Sequence, residues 1–131
     1  MTSTYRAVQV VKPGQLELVE RAVPTPRPGE VLIAVEACGI CGADIGDIEN
    51  ADPKRVPGHE VVGRIAALGA HLPSTWSMGQ RVGVGRFGGP CLECRMCRKG
   101  RFHLCRNQPV VGSSCDGGYA EMMLARATGL V

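Results

Sequence analysis

Four of the chain's seven cysteines fall between Cys91 and Cys105, in the stretch CLECRMCRKGRFHLC. The spacing is C-x2-C-x2-C-x7-C, through Cys91, Cys94, Cys97 and Cys105. Four thiolates converging from one short loop suit a tetrahedral cation. Zinc takes four sulfurs at equal distance, and a closed four-thiolate shell leaves no position for a substrate. The expectation is a structural zinc lobe that fixes a loop without doing chemistry. Three rivals fit less well. Two disulfides suit small secreted scaffolds, and the opening residues MTSTYRAVQVVKPG do not read as an export signal. Unliganded core thiols conflict with Glu93, Arg95, Arg98, Lys99 and Arg101, which interleave with the cysteines. An iron–sulfur run ends C-x3-C-P, whereas this one ends x7-C followed by Arg106.

The cysteine usage points to a reducing, cytoplasmic compartment. With 131 residues the chain can bury one real core, so residues 1–131 are read as one domain. Eighteen glycines and nine prolines against one Trp, two Tyr and two Phe describe a turn-rich, mainly β protein. A net charge of +3 gives no case for a nucleic-acid partner. The basic residues Arg95, Arg98, Lys99, Arg101 and Arg106 crowd the cysteine loop and offset its thiolates. No apolar run approaches a membrane span, so no membrane role is expected.

Strands are expected over Tyr5–Val11 and Leu16–Glu20, joined as a hairpin at Pro13-Gly14. Others are expected over Val31–Ala37, Val61–Ala67, Arg81–Val84 and Gly117–Leu124. Cys41–Ile48 fits one or two helical turns with Asp44 and Asp47 on the polar side. Gly83-Val84-Gly85-Arg86-Phe87-Gly88 matches the dinucleotide pattern G-x-G-x-x-G, but Gly89, Pro90 and the cysteine loop follow at once. That pattern needs a helix start to face a pyrophosphate. The segment is therefore read as a turn into the metal loop.

Two further candidate ligands lie upstream, Cys41 and His59. Both stand at turns beside strands, where a metal site can stay open. A catalytic zinc needs three protein ligands and leaves a fourth position for water or substrate. Asp44 is suited to bond the second nitrogen of His59 and fix its tautomer. Glu60 is suited to pair with an arginine or to approach the metal.

Taken together, Cys41-Gly42-x-Asp44, Gly58-His59-Glu60, the four-cysteine lobe and Asp116-Gly117-Gly118-Tyr119-Ala120-Glu121 resemble the zinc-containing medium-chain alcohol dehydrogenases. The resemblance implies a GroES-like, partly open β-barrel with short helices. It implies Cys41, His59, Glu60 and Asp44 as catalytic-site residues, with Cys41 and His59 as zinc ligands and Glu60 beside the metal. It implies structural zinc on Cys91, Cys94, Cys97 and Cys105, and leaves Cys38 and Cys115 as packing thiols. The implied reaction interconverts a small-molecule alcohol or polyol and its carbonyl, with hydride passing to NAD or NADP. Full-length relatives are expected to be homodimers or homotetramers.

Three departures from the family pattern stand out. The sequence is about half or less of a family member's length, and is expected to be a piece that lacks the Rossmann domain and the third zinc ligand. Ala43 stands where a Ser or Thr hydroxyl usually begins proton transfer. Gly46 stands where a histidine often follows. Proton release would then run through water or a group such as Asp47. The alternative function is a truncated, inactive, zinc-stabilised binding module.

Overall fold

The Pro13-Gly14 pair turns the chain back on itself. Gly14 has φ of +79°, in the left-handed region that a Cβ disfavours. The turn joins β1 (Thr4–Lys12) to β2 (Gln15–Ala22) as an antiparallel hairpin, with Val10 opposite Leu16 and Thr4 opposite Ala22. The structure is a computed structural model and describes residues 3–131.

Strands β3 (Glu30–Cys38), β4 (Val61–Leu68), β5 (Arg81–Val84) and β6 (Met122–Arg126) form an antiparallel sheet in the order β5-β4-β3-β6. Their alternation places the core. Val61, Gly63 and Ile65 point inward from β4 while Val62 and Arg64 point out. Val31, Ile33, Val82, Val84, Val111, Met123 and Leu130 close around them. Register shifts in β3 at Leu32/Ile33 and Val35/Ala37 bend the strand, as bulges do.

The hairpin meets this sheet at the residues just before β6. The Val8 amide donates to the Tyr119 carbonyl at 2.8 Å and the Glu121 amide to the Arg6 carbonyl at 2.9 Å. The Glu121 carbonyl in turn accepts from the Val35 amide at 2.9 Å. One segment thus bonds to both sheets, and together they curl into a partly open barrel. This is the mainly β, partly open architecture that the sequence led us to expect.

The expected strands at Val31–Ala37, Val61–Ala67 and Arg81–Val84 are found within a residue or so. The expected helical turns are α1, Ala43–Asn50. One expectation is corrected. Gly117–Leu124 is not a continuous strand, because its first residues lie flat against the Val56–Gly58 backbone. The Gly117 amide donates to the Val56 carbonyl at 2.7 Å, Gly118 to Gly58 at 3.0 Å and Tyr119 to Pro57 at 3.0 Å. A Cβ on Gly117 would overlap the Gly58 carbonyl, so only glycine permits this approach. Asp116 braces the same contact. Its Oδ1 accepts from the Val56 amide at 3.0 Å and Arg55 at 3.1 Å, and its Oδ2 accepts from Arg21 at 2.8 Å. His59, the residue after Gly58, is thereby fixed at the entrance to β4.

After β5 the next helix is α2, the four residues Arg95–Arg98, so no helix follows the glycine pattern at Gly83–Gly88. Among the described residues no helix is long and apolar enough to cross a membrane.

These contacts separate two glycines. Gly117→Ala is expected to destabilise the fold by about 2–4 kcal/mol, since backbone must move to admit the methyl group. A Cβ on Gly46, inside α1, meets nothing within 4 Å. Gly46→Ala is expected to be neutral or to stabilise by up to about 1 kcal/mol. Urea unfolding midpoints of the two variants check the contrast.

Candidate metal centres

The cysteine loop folds back on itself through α2 and a 3-10 turn at Phe102–Leu104. Leu92 takes φ of +65° and Gly100 φ of +71°, and these turns aim the sulfurs inward. The four Sγ atoms of Cys91, Cys94, Cys97 and Cys105 all lie within 4.8 Å of one another. Four sulfurs about 2.3 Å from one zinc stand about 3.8 Å apart. The Cys91–Cys97 separation is 3.9 Å. Amides also converge on the sulfurs. Cys91 Sγ accepts from the Cys94 amide at 3.3 Å, the Glu93 amide at 3.4 Å and the Asn107 side chain at 3.4 Å. Cys105 Sγ accepts from the Cys91 amide at 3.3 Å. Donors aimed at sulfur favour thiolate. The Asn107 amide, helped by the Glu93 and Cys94 amides, lowers the Cys91 thiol to about 6. Burial pushes the Cys97 thiol up to about 12. The donor set therefore fits a zinc ion. Arg95, Arg98, Lys99, Arg101 and Arg106 are exposed around it, as the offsetting charge should be.

The lobe's neck is pinned to the barrel. Thr128 Oγ1 donates to the Pro90 carbonyl at 2.9 Å, and Arg126 donates to the carbonyls of Gly89 at 3.2 Å and Asn107 at 3.0 Å.

The second cluster gathers at the start of α1. Asp44 is 2% exposed and His59 6%. The Asp44 carboxylate is gripped on one oxygen. Oδ2 accepts from the Cys41 amide at 2.8 Å and from the Tyr119 hydroxyl at 2.7 Å. Burial, and then the bond to Asp44, push the Tyr119 phenol up, so it stays a proton donor. The other oxygen, Oδ1, lies 3.2 Å from His59 Nδ1, yet it is not aligned as a hydrogen bond and has no partner among the described residues. The Nδ1 edge of the ring also faces Asp47 Oδ2 at 3.9 Å and Arg86 Nη1 at 3.3 Å. Arg86 is clasped by Asp47, with Nη2 to Oδ1 at 3.0 Å and Nη1 against Oδ2. That hydrogen-bonded clasp raises the Arg86 pKa above its ordinary value, so the group is a fixed cation.

Of the residues singled out from sequence, Asp44 and His59 are brought together, 3.2 Å apart, without the hydrogen bond that was expected between them. Cys41 is tied to Asp44 through its amide, and its half-buried thiol lies near enough to Arg86 to feel its charge. The tightest group of donor atoms, however, is Asp44, Asp47 and His59, and Cys41 and Glu60 stand outside it. Glu60 is exposed, forms no ion pair among the described residues, and lies against Gly39, whose amide donates to the Glu60 carbonyl at 2.9 Å. Asp47 is held by Arg86, which leaves it poorly placed to pass protons on. Cys38 and Cys115 pack as apolar thiols, both pushed up by burial. Arg86 and Tyr119 are the two site residues that sequence reasoning missed. Arg86 sat inside the dismissed glycine pattern, and Tyr119 served only as part of a motif.

Residues 27–131 match the alcohol dehydrogenase GroES-like domain. The chain belongs to that family. Alcohol dehydrogenase patD of Aspergillus clavatus is 42% identical over 135 aligned residues, covering 100% of this chain and 34% of patD. The cobalt- and zinc-bound thermostable alcohol dehydrogenase of Pyrobaculum aerophilum superposes with a TM-score of 0.89 at 32% identity, over 98% of this chain and 41% of that one. An alcohol dehydrogenase of Escherichia coli CFT073 complexed with NADH superposes with a TM-score of 0.87 at 35% identity, over 98% of this chain and 38% of that one. The alcohol dehydrogenase GroES-like domain thus accounts for most of this chain, which spans well under half of these relatives' length.

The thiol shifts give a pH-dependent signature. In chelator-treated protein, Cys91 is expected to be thiolate above about pH 6, and Cys97, pushed up by burial, to stay protonated through the neutral range. Iodoacetamide at pH 7 is expected to label Cys91 well before Cys97, with Cys91 labelling falling as the pH drops through 6. Peptide mass spectrometry reads the order, and equal labelling of the two would refute the assignment.

Proposed function

We propose that residues 1–131 form the catalytic domain of a zinc-dependent, NAD(P)-linked dehydrogenase that interconverts a small alcohol or polyol and its carbonyl. The observation that carries this reading is the Asp44 carboxylate. One buried group holds the Cys41 backbone through Oδ2 and faces His59 Nδ1 through Oδ1. Among the described residues nothing bonds His59 Nε2, so that nitrogen is the one offered outward. Cys41 and His59 are the proposed ligands of a catalytic zinc, with Glu60 beside them. Cys91, Cys94, Cys97 and Cys105 are the proposed ligands of a structural zinc.

A zinc ion at the open site supplies Lewis acidity toward a substrate oxygen. The protein's own residues do the remaining work. Asp44 and Tyr119 hold the Cys41 turn and the imidazole in one arrangement, and low exposure of Asp44 and His59 keeps bulk water off that arrangement. Ala43 and Gly46 are exposed and carry no hydroxyl or imidazole, so we assign proton release to solvent. Zinc and NADH in the similar structures support the cofactor assignment. The chain's short span relative to its relatives leaves a second reading, a zinc-stabilised module without turnover of its own.

Metal analysis separates the two. The dehydrogenase reading predicts two zinc ions per full-length chain. His59→Ala and Cys41→Ser should each leave one, and should lower zinc- and nicotinamide-dependent alcohol oxidation, assayed with a nicotinamide-binding domain present, by at least about 100-fold. Cys94→Ser should instead lower the melting temperature and lose the lobe zinc. One zinc in the parent protein, unaffected by His59→Ala, would favour the module. A Cys94→Ser protein that melts normally yet loses all turnover would mean the two sites are assigned the wrong way round.

A further inference from the structure

The cations of the barrel and those of the cysteine lobe are used differently. Arg6, Arg21, Arg55, Arg64, Arg81 and Arg86 each rest on a carboxylate. Arg95, Arg98, Lys99, Arg101 and Arg106 are exposed, and none of them makes an ion pair among the described residues. The sulfurs do not use them either, since the donors that reach sulfur are backbone amides and Asn107. Glu93 is the one carboxylate between Cys91 and Arg106. With half of the thiolate charge cancelled by a zinc ion, the lobe keeps a positive surplus. Arg95 and Arg98 are surface neighbours by their spacing on α2, while Cys97 between them is buried. Apolar side chains are set among these cations. Leu92 is 55% exposed, Phe102 47% and Leu104 48%. Three large exposed apolar side chains in one small lobe point to something that covers them. The lobe's helix and its 3-10 turn pack chiefly on each other, and the pinned neck presents them away from the strands.

We propose that the outer surface of the cysteine lobe is a docking surface for an anionic phospholipid membrane. The guanidinium forks take lipid phosphates, and Leu92, Phe102 and Leu104 enter the boundary between headgroups and acyl chains. Two signals of different kinds coincide here, and stable peripheral binding needs two. A nucleic acid would account for the cations but would leave the leucines without a partner, so the lipid surface is favoured. No spanning helix is needed for such a contact. The expectation of no membrane role, drawn from the lack of a spanning run, does not extend to it. The inference does not rest on the proposed catalytic zinc, because no residue at Cys41 or His59 takes part.

The test is co-sedimentation of the zinc-loaded full chain with vesicles of phosphatidylcholine and phosphatidylglycerol at low and high salt. Binding is expected to the mixed vesicles, to weaken as salt rises, and to be much weaker on phosphatidylcholine alone. Arg95→Gln combined with Arg98→Gln should weaken it about 30-fold with an unchanged melting temperature, since both side chains are unbonded. Phe102→Ser combined with Leu104→Ser should weaken it at least about 10-fold, an effect that charge attraction alone would not produce. Arg64→Gln, which removes a paired cation of the barrel, should bind like the parent. No binding of the parent to the mixed vesicles overturns the proposal. So does a folded lobe variant of either kind that binds like the parent, or an Arg64→Gln protein that loses binding equally. A single-stranded RNA bound more tightly than the mixed vesicles at the same salt would also overturn it. Vesicle binding needs neither a nicotinamide nor a metal at His59, so its failure and the failure of the dehydrogenase reading are distinguishable.

Discussion

Burying an ionised carboxylate is costly unless its lone pairs are used, and the site depends on how Asp44 meets that condition. One oxygen is held by a backbone amide three residues away and by a hydroxyl from the far end of the chain. These two bonds fix the group in place, and the fixed group then has one oxygen left for the imidazole. The barrel makes this possible. Asp116 and the Gly117–Tyr119 segment bind the Val56–Gly58 backbone, so the segment carrying Tyr119 and the turn carrying His59 are positioned by the same contacts. Moving either would break the geometry around Asp44.

The two candidate centres differ in what builds them. The cysteine lobe is local: its four sulfurs come from one loop, its thiolate-favouring donors come from that loop and from Asn107 just after it, and it meets the barrel through a few bonds at Gly89, Pro90 and Asn107. The cluster at His59 is assembled from four separate parts of the chain, at α1, the entrance to β4, the end of β5 and the residues before β6. A local centre folds with its loop, whereas a distributed one exists only when the barrel is complete.

That difference explains what could be read from sequence. The spacing of Cys91, Cys94, Cys97 and Cys105 names a four-sulfur site directly, and alternation names β4 and its neighbours. Asp44 behind His59 was legible through a family resemblance. The partners of these residues were not. Tyr119 is 75 positions from Asp44 and Arg86 39 from Asp47, and no local pattern encodes such pairings. The strand expected from Gly117 failed for a related reason. Its glycines serve a close backbone approach, which only the tertiary structure reveals. Cys41 and Glu60 also stand apart from the group formed by Asp44, Asp47 and His59.

The central claim is that Asp44 orients both halves of an open zinc site while the lobe holds its zinc independently. Zinc content of purified full-length protein carrying Asp44→Ala, measured alongside the full-length parent by mass spectrometry, tests it most directly. The account predicts one zinc lost and one retained, with the retained ion coordinated by four sulfurs in X-ray absorption. Retention of both ions at parental affinity, or loss of the four-sulfur ion, would contradict it.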